Sequence, residues 1–237
     1  MRKLIPLLLI LCFAPLAANS QAVIALLLGD KIKSDKVKLG LFLGEQGSCI
    51  SGANTTGTFK PNLSFTIGAY VDVKIGGNDR WILQNYIIFK APKGADGLDV
   101  SKESLSDKPL LIDNMDMIKR SSTYFQLTPV MRFCFTPTWS LGIGPYAGFK
   151  MSVKDIYSTK KDGGDLTYKL KTSGDFATLD AGAAFDLQCR LMKGNGIQLN
   201  LRYEQGFTNI YKSAIDRKGQ NMAFHFGVGI PVGRQKK

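Results

Sequence analysis

From Phe59 to Ile75 every second residue is apolar or proline: Phe59, Pro61, Leu63, Phe65, Ile67, Ala69, Val71, Val73 and Ile75. Between them stand Lys60, Asn62, Ser64, Thr66, Gly68, Tyr70, Asp72 and Lys74. Successive strand side chains point to opposite faces, so this run is a strand with one greasy side and one mixed side. It exceeds the usual strand of about 5–6 residues. It also covers the roughly 9–11 residues that a membrane-crossing strand needs. A chain holding such a segment must find an apolar medium for one entire face. What decides which medium is how often the pattern recurs.

It recurs along the whole chain. Val37–Gly44 carries Val37, Leu39, Leu41 and Leu43 on one face. Arg80–Lys90 returns after the turn Gly76-Gly77-Asn78-Asp79, whose Gly and Asn suit a tight hairpin. Thr123–Phe135 and Trp139–Phe149 flank the short Thr136-Pro137-Thr138. Phe176–Arg190 and Ile197–Glu204 flank the turn Lys193-Gly194-Asn195-Gly196. Met222–Val232 closes the series, with Met222, Phe224, Phe226, Val228, Ile230 and Val232 in phase. The other connections, to about Gly57, Ala91–Ser121, Met151–Gly174 and Gln205–Gln220, are long and polar; Leu110-Leu111-Ile112 is an apolar island in the second.

Eight strands result, with connections that alternate long and short. An even strand number with short turns at one end and long loops at the other is the pattern of outer-membrane barrels. Closure also satisfies every backbone group, which an open sheet in lipid cannot do. The expected fold is therefore all-β: an eight-stranded antiparallel up-and-down transmembrane β-barrel, with short periplasmic turns and long extracellular loops. The last strand must then pair with the first.

Face assignment follows. The continuous apolar face looks at lipid and carries no charge within its strands, where Lys or Arg near the midplane would cost roughly 2–4 kcal/mol. The mixed face looks inward. It brings Tyr70, Asp72, Arg132, Tyr146, Asp180, Asp186, Arg190, Arg202, Glu204 and His225 toward one interior. A soluble lipocalin-like barrel would invert this arrangement. Eight strands leave an interior that side chains fill, and charges at this density must pair. A packed polar network is expected, with inward glycines such as Gly40, Gly68 and Gly182 making room for the tyrosines and arginines. Two aromatic girdles are expected at the membrane interfaces. Trp81, Trp139 and Phe133 lie at the short-turn end; Phe59, Phe89, Phe125, Phe149, Phe176 and Tyr203 lie at the long-loop end. Pro129 and Pro145 should face each other across neighbouring strands. Neither has an N–H for the ladder, so a bulge or wide spot is expected there.

The chain has 237 residues, 44% hydrophobic. Its N-terminus reads as a secretory signal: Arg2 and Lys3, an apolar stretch Leu4–Leu16, then small residues with cleavage after Ser20 or Ala22. Cys12 lies inside that stretch without a lipoprotein cleavage site. The expected organisation is a signal peptide over 1–22, a lead-in over 23–36, the barrel over 37–233 and a basic tail over 234–237. The net charge is +12, or +10 without Arg2 and Lys3. In an exported protein this favours anionic surfaces, lipid or polysaccharide. Nucleic acid is a poor alternative, since the basic residues are scattered and form no binding motif. Cys49, Cys134 and Cys189 are odd in number and widely spaced, which makes neither a disulfide framework nor a zinc pattern. No metal cluster, phosphate loop or cofactor motif is evident, and no catalytic residue is assigned.

Four stretches carry a family likeness: Ile24-Ala25-Leu26-Leu27-Leu28-Gly29-Asp30-Lys31, Leu127-Thr128-Pro129-Val130-Met131-Arg132-Phe133, Gly144-Pro145-Tyr146-Ala147-Gly148 and Leu201-Arg202-Tyr203-Glu204-Gln205-Gly206. Together they resemble the PorT-like outer-membrane β-barrel proteins of the Bacteroidetes, often called simply porin-family proteins. The resemblance spans nearly all of the chain after the signal and implies an outer-membrane barrel. The family's named member is tied to type IX secretion and gliding; the location is carried over, the role is not. The chain departs from many outer-membrane barrels at its end, Gly233-Arg234-Gln235-Lys236-Lys237, where they finish on an aromatic residue.

Three functions stay open on these grounds. The first is a non-enzymatic barrel whose loops or lipid-facing wall dock other envelope proteins. The second is a narrow pore for small solutes. The third is an enzyme acting on lipid or lipopolysaccharide, for which His225, the single histidine, would be needed. The expected partners are outer-membrane lipid or lipopolysaccharide and other envelope proteins.

Overall fold

A computed structural model describes residues 37–53, 55–76, 80–100, 117–161, 164–194 and 196–232. The signal peptide, the lead-in, the basic tail, the Leu110-Leu111-Ile112 island and the tips of two turns lie outside the described residues. So does the side chain of Phe59.

The strands are β1 (Val37–Ser51), β2 (Thr55–Lys60), β3 (Asn62–Ile75), β4 (Trp81–Asp99), β5 (Met117–Cys134), β6 (Trp139–Lys161), β7 (Gly164–Lys171), β8 (Leu179–Arg190), β9 (Gln198–Gly206) and β10 (Gln220–Val232). All join one sheet in the order β4-β3-β1-β10-β9-β8-β6-β5, and β5 pairs back to β4. Those eight strands close a ring. β2 adds to β4, and β7 adds to β6. Closure is carried by β1 and β10, which pair antiparallel without a register shift from Leu39↔Val232 to Ser51↔Gln220.

Every ring pairing is antiparallel. Paired residues share a face, so the alternating sequence sorts itself around the ring. Leu63, Phe65, Trp81, Met131, Leu141, Ile143, Phe185, Leu201, Phe224 and Phe226 are exposed on the outside. Ile82 and Ile88, which share a face of β4 with Gln84 and Tyr86, are buried inside.

The structure corrects the sequence reading in three places. First, the alternating run breaks at Pro61, between β2 and β3. Second, strand extends into the long polar connections: β4 continues to Asp99, β5 begins at Met117, and β6 and β7 form a hairpin within Met151–Gly174. The β4/β5 register shifts between Ile88 and Ala91, and the β5/β6 register between Thr123 and Tyr124. A bulge re-aims the residues beyond it. In β4 the buried positions pass from Ile82, Gln84, Tyr86 and Ile88 to Ala91, Lys93 and Ala95. In β6 they pass from Tyr146 to Val153, Asp155 and Tyr157. Third, Phe176 is not an interface aromatic. It is fully buried and packs on Tyr211, ring centroids 5.2 Å apart.

At the paired prolines the β5/β6 pairing lapses between Leu127↔Ala147 and Met131↔Ile143, and it resumes in the same register. The ladder is therefore interrupted, as the missing N–H groups require, but no residue is inserted. The walls stay close. A Cβ on Gly144 would lie 1.8 Å from the Pro129 carbonyl oxygen, so only glycine fits beside that carbonyl.

Candidate functional site

The sheet brings all ten predicted interior residues, Tyr70, Asp72, Arg132, Tyr146, Asp180, Asp186, Arg190, Arg202, Glu204 and His225, into the lumen, where each is buried. They lie in tiers joined by amide side chains.

Nearest the short turns, Arg190 Nη2 donates to Asp72 Oδ2 at 3.1 Å, and Gln198 Nε2 donates to the same oxygen at 3.2 Å. Gln188 Nε2 donates to Gln198 Oε1 at 2.8 Å and to Gln84 Oε1 at 3.2 Å, which ties this tier to the wall opposite. In the next tier Asp186 sits between two guanidinium groups. Arg132 Nη2 is 3.1 Å from Oδ1, and Arg202 reaches Oδ2 with Nη2 at 2.9 Å and Nε at 3.1 Å. The Arg202 guanidinium lies 3.8 Å from the Tyr86 ring centroid, a cation–π contact between two buried side chains.

The third tier is built on Lys93, which the sequence reading placed in a loop. Its ammonium stands 3.0 Å from Asp180 Oδ2 and 3.2 Å from Glu204 Oε2, above the Tyr146 ring. Tyr146 Oη donates to Asp180 Oδ1 at 3.3 Å, and Gln126 Nε2 donates to Glu204 Oε1 at 2.7 Å. His225 Nε2 lies 3.3 Å from Glu204 Oε2, within ion-pair reach, yet neither ring nitrogen has hydrogen-bond geometry to a described residue. Tyr70 Oη likewise has no hydrogen-bond partner among the described residues. Its ring fills the space left by Gly40, where a Cβ would lie 2.2 Å from the ring carbons.

Above these tiers the lumen turns apolar. Ile50, Ala95, Leu98, Ile118, Val153, Tyr157, Phe176, Ile210 and Tyr211 form one buried cluster. Arg120 crosses it. Its Nε and Nη2 donate to the two Asp155 oxygens at 2.8 Å each, and its Nη1 donates to Tyr211 Oη at 2.9 Å. This bidentate pair is wholly buried.

The sequence reading missed Lys93, Arg120 and Asp155. Lys93 and Asp155 lie beyond the bulges, where the period of two changes phase. Arg120 carried a usable signal, because Ile118, Arg120, Ser122 and Tyr124 continue the inward parity of β5.

With those three added, the buried charges among the described residues balance. Asp72, Asp155, Asp180, Asp186 and Glu204 are five carboxylates; Lys93, Arg120, Arg132, Arg190 and Arg202 are five cations. No described group of His, Cys, Asp and Glu could hold a metal, and Cys49, Cys134 and Cys189 are free thiols.

On the outside wall, Trp81 and Phe133 pack at 5.0 Å near the short turns, with Trp139 exposed at that end. Phe89 and Phe125 pack at 6.4 Å toward the other end, where Phe149 is exposed. Tyr203 packs on Phe224 at 4.8 Å and donates to Gln205 Oε1 at 2.6 Å.

Residues 24–212 match a family model described as outer membrane protein beta-barrel domain. Among curated proteins no sequence matches significantly. Similar solved structures include Ail, the attachment invasion locus protein of Yersinia pestis, at 12% identity and a TM-score of 0.43, covering 83% of this chain and 99% of that one. Neisserial surface protein A is similar at 13% identity and a TM-score of 0.32, covering 83% and 96%. The N-terminal β-barrel domain of Pseudomonas aeruginosa OprF is similar at 10% identity and a TM-score of 0.29, covering 81% and 96%.

Proposed function

The chain belongs to the outer membrane protein beta-barrel domain family and resides in the outer membrane, and from that premise we propose that it is a closed, non-enzymatic barrel that docks other envelope proteins through its outer surface. The observation that carries this reading is the lumen. Its five buried carboxylates are matched by five cations, and one of those pairs, Arg120–Asp155, crosses an apolar cluster that stands above the rest. A conducting lumen needs continuous water, whereas this one is filled with paired charges and, beyond them, apolar side chains. His225 and Glu204 are buried together in the third tier, out of reach of a lipid substrate.

Glu45 supports docking through the wall. The sequence reading ended the first strand one residue short of it. In register it lies between Phe65 on β3 and Phe226 on β10, both outward, and it is exposed. A carboxylate beside lipid-facing phenylalanines is costly according to depth, and a donor on a partner protein would offset that cost. The PorT-like resemblance suggests an envelope assembly, secretion machinery being one instance.

The test is photo-crosslinking from position 45 in native membranes, followed by identification of the captured protein. A specific envelope protein, lost when crosslinking is attempted from Leu141 across the barrel, is the expected result. Absence of any adduct, together with an unaltered envelope on deletion, would overturn the docking reading. In planar bilayers the purified barrel should give no channel steps above background.

A further inference from the structure

The lumen is charge-neutral among its described residues, so the excess of basic over acidic side chains among them lies outside it. Part of it is concentrated on one patch of sheet. Beyond the β6 bulge, β5, β6 and β7 run side by side with Val153, Tyr157, Tyr168 and Leu170 turned toward the apolar cluster. The opposite, outward face is set by register. One row reads Ser121–Lys154–Lys171, and the next reads Lys119–Ile156–Lys169. Lys154, Lys169 and Lys171 are exposed, and the Lys119 side chain is 40% exposed.

Lys154 and Lys171 are direct cross-strand partners. Strands lie about 4.8 Å apart and residues on one face repeat every 6.6 Å or so, so the four lysines are rooted in a patch of sheet of roughly 10 by 7 Å. Like charges directly opposite each other destabilise a sheet. Asp96 stands at its edge, with Oδ2 4.0 Å from Lys119 Nζ. The arrangement therefore suits an anionic ligand.

Its height says which one. The exposed apolar positions of β6 end at Phe149 and Met151. Lys154 is three residues further on, about 10 Å along the strand. That is the level of outer-leaflet headgroups, and a lysine stem of several methylenes reaches back toward it. The apolar inner face fixes the strands, so the lysines sit on a preformed surface. We propose that Lys119, Lys154, Lys169 and Lys171 form a binding site for the phosphate groups of outer-leaflet lipopolysaccharide, holding one lipid headgroup against the β5–β7 face.

The experiment uses the purified full-length barrel in a non-ionic detergent. It is titrated with bisphosphorylated lipid A, with the same lipid freed of its phosphates, and with heparin as a soluble anionic polysaccharide. Lipid A should bind, and dephosphorylated lipid A should not. The double variant K154Q/K171Q should weaken lipid A binding roughly 30-fold at low salt, from about 1 kcal/mol for each lysine at an anionic surface. The charge-matched variant K212Q/K218Q, at exposed lysines of the last loop, should change it less than threefold. Both pairs lie on the surface, and heat-modified gel mobility verifies that each variant is folded. Equal losses in the two doubles would reduce the effect to net charge and overturn the site. Binding of phosphate-free lipid A, binding of heparin in preference to lipid A, or no binding of lipid A at all would each overturn it too.

Discussion

Replacing Asp186 by Asn tests the dry, paired interior directly. Asp186 holds two guanidinium groups at once, Arg132 at 3.1 Å and Arg202 at 2.9 Å, and all three side chains have no accessible surface. After the substitution Arg202 keeps an ion pair with Glu204 at 3.8 Å. Arg132 keeps hydrogen bonds to Tyr86 Oη at 3.3 Å and to Ser140 Oγ at 3.4 Å, both neutral partners. Breaking a buried pair by removing one partner costs about 3–5 kcal/mol, because a charge stays behind without compensation. The expected loss for Asp186→Asn is in that range, equivalent to roughly a thousandfold in the unfolding constant. It is read from urea titrations of the barrel refolded in detergent micelles or thin vesicles. Asp72→Asn should cost less, since Arg190 keeps 7% of its side-chain surface and stands nearest the short-turn mouth, where water can reach it. Adding Arg132→Met to Asp186→Asn should recover part of the loss by removing the stranded cation. A cost for Asp186→Asn below about 1 kcal/mol, or no recovery in the double variant, would refute a dry interior.

Gly40→Ala should lower stability by about 1–3 kcal/mol through overpacking against the Tyr70 ring, and Tyr70→Leu should relieve it in the same urea assay. His225→Ala should leave the lipid A profile of whole cells unchanged by mass spectrometry; a changed acylation or phosphorylation pattern would revive the enzyme alternative. Arg120→Met should keep the barrel folded but make the β6–β7 hairpin more sensitive to added protease, because the pair with Asp155 and the bond to Tyr211 cross the apolar cluster beneath it.

The membrane-crossing part of this fold is legible because two media act on one strand there. Lipid demands Phe65, Ile67 and Ala69 on one side, the lumen accepts Thr66, Gly68 and Tyr70 on the other, and the contrast writes a period of two into the sequence. The ring closure of β1 on β10 followed from counting such segments. Above Phe149 the contrast reverses. The exterior is aqueous and takes Lys154, while the interior becomes apolar and takes Val153 and Tyr157. The bulges change the phase of the alternation at nearly the same point. A reading that follows one parity therefore loses β4 after Ile88 and β6 after Met151, and with them Lys93 and Asp155. Phe176 was misread for a related reason: an aromatic near the long-loop end fits either a girdle or a core, and only its isolated bridge to Tyr211 shows which. The tiers of the lumen were legible as a set of inward residues but not as pairs. Which carboxylate meets which cation depends on strand stagger around the ring, and local spacing does not encode that.

The β6–β7 hairpin has a mechanical consequence. Between Met151 and Lys161 β6 advances ten residues, about 33 Å along the strand. From Lys154 to Ser158 it has a partner strand on each side, with Val153 and Tyr157 set in the apolar core behind it, and β7 alone accompanies it to Lys161. Such a structure behaves as a stiff mast rather than a tether. A force applied near its outer end is transmitted to the wall at β5 and β8 instead of being absorbed by a slack loop. Whatever meets this protein from outside the cell would touch a lever whose fulcrum lies at the membrane surface.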